Sequence, residues 1–96
     1  MTTYRRISAV TVAVRILRFM SEQRDMVSGQ EIARAIEMPH GTVMCHLATL
    51  EDERLVRSVG GAWELDMGMS HFWARRKAML EGRIMRDKQE LEQLGA

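Results

Sequence analysis

The chain has one cysteine, one proline and few aromatic side chains, which make up 5% of its 96 residues. A lone cysteine excludes an internal disulfide and suits a reducing compartment. The near absence of proline, together with 28% charged residues, argues against an extended linker or a disordered tail. No apolar run approaches the roughly 20 residues of a membrane-spanning helix. The N-terminus carries charge but lacks the apolar core and small-residue cleavage site of a secretion signal. These absences predict a cytoplasmic protein with no membrane attachment. What is present, a 46% apolar fraction dominated by aliphatic and sulfur side chains, suffices for one small core. Domains of this size bury a modest share of their surface, so a partner subunit is expected.

The net charge of +1 conceals an uneven distribution. Residues 1–27 carry a net +3, residues 28–66 a net −4 and residues 67–96 a net +2. Nucleic-acid binders usually have a clearly basic domain. Here basic ends flank an acidic middle, so charge alone does not assign a partner.

Hydrophobic spacing orders the chain. Val10, Ala13, Val14, Leu17 and Met20 recur at helical intervals between about Ser8 and Glu22, with Ser8 as the expected N-cap. Val10, Val12, Val14 and Ile16 also alternate as a strand would, but the length of the stretch favours a helix. Ser28-Gly29-Gln30-Glu31 has the form of a capping box. It precedes Ile32, Ala33 and Ile36 on a short second helix. Pro39 ends that segment. Val43, Leu47 and Leu50 then mark a third helix over residues 42–53, so the pair reads as a helix-turn-helix. Past Arg54 the period changes to two strands, 55–59 and 62–65, joined by Gly60-Gly61. A long helix is expected from about Ser70 to Leu94. The fold class is therefore mostly α with a small β-hairpin. It divides into a winged helix-turn-helix at 1–66 and a C-terminal helix at 67–96.

The stretch MPHGTVMCHLATLEDERLV at 38–56 resembles the recognition helix and first wing strand of the IclR-type transcriptional regulators. SGQEIARAIE at 28–37 and Trp63-Glu64-Leu65 extend the resemblance, which covers about residues 8–66. Thr42-Val43 and Leu47-Ala48-Thr49-Leu50-Glu51 are its most specific part. The resemblance implies a DNA-binding transcriptional regulator that acts on duplex DNA. It brings no effector site, because the family's large ligand domain has no counterpart in the sequence. Family members often have a basic residue where this chain has Cys45 and a Ser where it has Gly41. They commonly have Gly where Glu37 and Arg54 stand, just past helix ends.

A helical wheel places Val43, Leu47 and Leu50 within about 40° of one another, toward the core. Gly41, Cys45, Ala48, Thr49 and Asp52 fall opposite, with Thr42 and Met44 on the flanks. In a winged helix that outer face enters the major groove. It has no Arg, Asn or Gln for a bidentate base contact. His40, Thr42 and Thr49 are left to bond phosphate or base edges, beside Met44 and Cys45. Arg5 and Arg6 next to Tyr4, Arg57 on the wing, and Arg75-Arg76-Lys77 are the expected phosphate contacts. The rival reading is a winged helix that packs on protein and has lost its groove reader.

His40, Cys45 and His46 invite comparison with a metal site, but Cys45 and His46 are adjacent on a helix and diverge by about 100°. No metal, cofactor or enzymatic activity is expected. Heptads counted from Ser70 put Trp73, Leu80, Ile84, Leu91 and Leu94 on one seam, interrupted by Lys77 and Asp87. The seam predicts a homodimer. The competing expectation is that Phe72, Trp73 and Leu80 fold back onto the winged-helix core.

Overall fold

A computed structural model describes residues 3–95 of the chain. Met1, Thr2 and Ala96, which the sequence assigns to the ends of its two segments, lie outside the described residues. Helix α1 spans Ser8–Ser21 and buries Val12, Ile16 and Met20 on one face while Val14 and Arg18 between them are exposed, a pattern that a helix gives and an alternating strand does not. Ser8 is not its N-cap. The turn opens one residue earlier, with the Ile7 carbonyl accepting from the Thr11 N–H at 3.3 Å, so Ser8 is already helical and no side chain caps the end.

Strand β1, Val27–Ser28, leads directly into helix α2, Gly29–Ile36. The expected capping box is formed. Ser28 Oγ accepts from the Glu31 N–H at 3.1 Å, and Glu31 Oε1 accepts from the Ser28 N–H at 3.4 Å. Helix α2 ends at Glu37, whose backbone is left-handed (φ 56°, ψ 47°), while the Met38 N–H returns to the Ala33 carbonyl at 3.0 Å.

Helix α3 spans His40–Asp52, two residues longer at its start than the sequence reading of 42–53. Pro39 explains the difference. It cannot extend α2, but its fixed φ of −61° suits the N-cap of α3, and its carbonyl accepts from the Val43 N–H. Strands β2, Val56–Val59, and β3, Ala62–Leu65, form the hairpin, with Gly60 and Gly61 both at the positive φ that a two-residue turn requires. The expected two-stranded hairpin is in fact a three-stranded antiparallel sheet in the order β1-β3-β2. Val27 pairs with Trp63 and Ser28 with Ala62. A two-residue strand carries no readable alternation, so it left no trace in the sequence pattern.

The core lies where the three helices meet the sheet. Ile16, Ile32, Val43, Leu47 and Val56 are fully buried there, with Trp63 closing it from β3. Among the described residues no polar side chain is buried. Helix α4, Met67–Leu94, begins three residues before Ser70 because Asp66 caps it, its carboxylate accepting from the Met67 N–H. Its root is tied to the turn after α3, where the Gly68 N–H donates to the Arg54 carbonyl at 3.0 Å. A β-carbon on Gly68 would sit 2.5 Å from that carbonyl oxygen, so only glycine fits.

Beyond its root α4 leaves the body of the molecule and buries none of its side chains. Trp73 is 72% exposed and Phe72 63%, so neither folds back onto the core, and Leu80 is exposed as well. The molecule is elongated as a result, with principal extents of 63 × 44 × 21 Å.

Both non-glycine residues with positive φ are those that stand past helix ends, Glu37 at 56° and Arg54 at 61°. A Cβ in the left-handed region costs about 1–2 kcal/mol, partly offset because glycine loosens the unfolded chain. Glu37→Gly and Arg54→Gly should each raise the unfolding free energy by about 0.5–1 kcal/mol in urea titrations. A loss of stability at either position would contradict the strained-turn account.

Candidate nucleic-acid interface

Helix α3 presents the candidate surface because its other side is committed. Val43 and Leu47 are wholly buried and Leu50 nearly so, and this fixes the rotation of the helix about its own axis. Gly41, Cys45, Ala48, Thr49 and Asp52 are therefore exposed, as the helical wheel requires. His40 stands exposed in the first turn. No side chain caps this end and no acidic residue lies in the first turn, so the opening N–H groups have no side-chain partner. An uncapped helix N-terminus of this kind suits an anion such as a phosphate.

The side chains assigned to this face are not equally free. Thr42 is half-buried, and its carbonyl is held by His46 Nδ1 at 2.8 Å. The Thr49 hydroxyl donates to the Cys45 carbonyl at 3.0 Å and keeps only its acceptor capacity for a ligand. Met44 is half-buried and packs against the core, with its sulfur lying over the start of α2. A β-carbon on Gly29 would meet that sulfur at 2.6 Å. Its methyl end is thus drawn away from the outer face, because Gly29 leaves a hollow that a flexible thioether fills.

Cys45 and Thr49 also border a feature that the wheel does not predict. With His46 and Leu50 of α3, and Ala9, Val10 and Ala13 of α1, they line an open apolar groove of about 410 Å³. The two faces of α3 thus differ in character. One flank is polar only at its backbone and hydroxyls, and the other slopes into the crevice against α1.

The basic candidates separate into paired and unpaired groups. Arg57, on β2, makes an ion pair with Glu64 of β3, directly opposite in the strand register. This is the only ion pair among the described residues. It neutralises much of the wing's positive charge. Arg15 is a structural residue, donating from α1 to the Ile36 carbonyl at 2.9 Å and so holding the C-terminal end of α2. Arg5 and Arg6 precede α1 and are exposed, with Arg6 bonded to the Tyr4 carbonyl. Arg75, Arg76 and Lys77 are exposed on the first half of α4. Among the described residues no three His, Cys, Asp or Glu side chains converge as metal ligands would. No helix among them is long and apolar enough to cross a membrane.

The order α1-β1-α2-α3-β2-β3, with the β2–β3 hairpin completing a three-stranded antiparallel sheet, defines a winged helix-turn-helix. Residues 9–60 match the IclR helix-turn-helix domain, and the chain belongs to that family of DNA-binding transcription-regulator domains. Solved structures agree on the fold. The IclR family transcriptional regulator from Brucella abortus superposes with a TM-score of 0.66 at 24% identity, over 71% of this chain and 27% of that one. The IclR transcriptional regulator from Alicyclobacillus acidocaldarius gives a TM-score of 0.71 at 24% identity, over 75% of this chain and 30% of that one. The chain thus spans less than a third of the length of either regulator. No curated protein matches the sequence significantly.

The distinct duties of Arg15 and Arg57 are measurable. Arg15→Met should lower the unfolding free energy by about 1 kcal/mol, since the α2 carbonyl loses its partner in a half-buried site. Arg57→Ala breaks an exposed pair and should change it by less than about 0.5 kcal/mol. Equal effects in urea unfolding would show that Arg57 supports the fold instead of being available on the surface.

Proposed function

We propose that this protein is a DNA-binding transcriptional regulator that engages duplex DNA as a homodimer. Helix α3 enters the major groove, Arg5 and Arg6 contact the backbone beside α1, and Arg57 does so from the wing. The observation that carries the reading is the exposed, uncapped first half of α3 in a chain of the IclR helix-turn-helix family. His40, Thr42, Cys45 and Thr49 face the bases or their flanking phosphates, and Met44 contributes only at the edge of that surface. With no Arg, Asn or Gln on the outer face, base discrimination per domain is weak and phosphate contacts supply most of the affinity. Dimerisation compensates by joining two such faces. The exposed seam of Trp73, Leu80, Ile84, Leu91 and Leu94 supports it, because leaving these side chains in water forfeits most of their burial energy, roughly 1.5–3 kcal/mol each. A cytoplasmic location follows from this role.

Binding to random duplex DNA at several salt concentrations tests the reading. Log affinity should fall linearly with log salt, and removing Arg5 with Arg6 should flatten that slope by about one unit per lost phosphate contact. Thr42→Ala should weaken specific sites more than random DNA. No binding even at about 50 mM salt, where counterion release is strongly favourable, would instead mark a protein-interaction module. Sedimentation equilibrium examines the seam separately. The wild type should be a dimer at tens of micromolar, and Ile84→Glu with Leu91→Glu should be a monomer. A monomeric wild type removes the dimer without touching DNA binding.

A further inference from the structure

We infer that the α4 helices of two copies pair antiparallel, with the dyad level with residue 82. This rests on the dimer reading above and adds an orientation that nothing so far determines. The seam is self-complementary when read backwards. Pairing each residue with the one whose number completes 164 sets Trp73 against Leu91 of the second copy, Leu80 against Ile84, and Ser70 against Leu94. The same register sets Lys77 against Asp87. Every large apolar residue of the seam between 73 and 91 then meets another, and both charges that interrupt it meet an opposite charge, twice over by symmetry.

The parallel alternative fails on those same two positions. In register, Lys77 would face its own copy and Asp87 its own copy, two like-charge pairs within an apolar seam. Neither side chain has an ion-pair partner among the described residues of its own chain, so both remain available. The residues flanking the seam do not separate the two arrangements. Arg76 comes alongside Glu90 of the second copy in the antiparallel pair. Arg83 and Glu81 each lie near their own copies across the dyad, but at the wetter margin, where such repulsion is screened. A parallel pair would bring Arg83 beside Lys88 and Arg76 beside Glu81, each twice, so the choice rests on Lys77 and Asp87.

The root of α4 provides a further fit. Met69 and Ser70, with Arg57, Leu65, Asp66 and Met67, line a hollow of about 230 Å³ between the wing and the helix. Ser70, a seam position, forms part of its wall, and the antiparallel register sets Leu94 of the second copy against Ser70. The two winged-helix units then sit at opposite ends of the pair. Met67 and its copy are about 45 Å apart along the seam, more than one turn of duplex DNA.

Disulfide trapping in a Cys45→Ser background tests the orientation. Residue 73 lies about 27 Å from its own copy in the antiparallel pair but beside residue 91 of the second copy. The Trp73→Cys chain and the Leu91→Cys chain should each fail to cross-link alone and should cross-link when mixed. Self-linking of the Trp73→Cys chain would overturn the proposal in favour of a parallel pair. A second arm avoids the loss of Trp73. Lys77→Asp should weaken dimerisation about tenfold or more, and adding Asp87→Lys should restore it to within about threefold of wild type. In a parallel pair the double exchange restores nothing. Since α4 buries no side chain against the body, these variants leave the winged helix folded. A wild-type dimer without the mixed cross-link or the charge-swap rescue sinks the orientation alone, whereas a wild-type monomer sinks the dimer as well.

Discussion

Burial of Val43, Leu47 and Leu50 against α1 and α2 sets the rotation of α3, and the chemistry of the outer surface follows from that angle. A rotation of one residue, about 100°, would put Met44 and Ala48 inward and expose the leucines. The packing does not permit it, because Ile16 and Ile32 are also wholly enclosed and no polar group is buried to relax the fit. What the rotation leaves outside is small and nearly neutral: a histidine, two threonines, a cysteine, an alanine and a glycine, with Asp52 at the far end. A helix of that kind fits closely into a groove but discriminates little once there. The protein's ability to bind depends on where its arginines stand and on how many such helices act together.

The arginines are fewer than their number suggests. Arg15 is spent on the end of α2 and Arg57 is shared with Glu64. Of the arginines and lysines expected at phosphates, those without an ion-pair partner among the described residues are Arg5 and Arg6 before α1 and Arg75, Arg76 and Lys77 on the first half of α4. The acidic middle of the chain surrounds the core without crossing the exposed start of α3, whose first turn carries no acid. On the proposed reading charge and shape divide the work, with α3 supplying fit and the flanks supplying attraction.

Helix α4 obeys a different constraint. A 28-residue helix is about 42 Å long, well beyond what a body of three short helices can cover. Only its root is secured, by the Asp66 cap and by the Gly68 amide on the Arg54 carbonyl. The Arg54 turn is strained for a non-glycine residue and yet anchors α4, so the junction holds its geometry through hydrogen bonds and a close backbone approach. From there the helix runs free, and no described residue of the chain covers its apolar stripe.

Much of this was legible in the sequence because local rules write themselves into local spacing. The helical stripe of α1, the capping box at Ser28, the Val43-Leu47-Leu50 face and the Gly60-Gly61 turn each occupy a window of a few residues. The last three were realised as read, whereas α1 is a helix as expected but turns Val12, Ile16 and Met20 inward and leaves Val10 and Val14 of the expected stripe exposed. The family resemblance likewise rests on contiguous motifs and is matched over residues 9–60. The same reading placed Glu37 and Arg54 where glycine is usual, and both backbones are left-handed. What escaped it was set at a distance. Strand β1 exists only because β3 offers it an edge. Met44 turns aside because Gly29, fifteen positions earlier, leaves room beneath it. Cys45 and Thr49 border a groove because α1 passes beside them. Arg57 is neutralised by a residue across the hairpin, and Phe72 and Trp73 stay in water because α4 departs at an angle that Gly68 and Arg54 decide. Periodicity reports which side of a helix is apolar. Only the packed chain determines what that side meets.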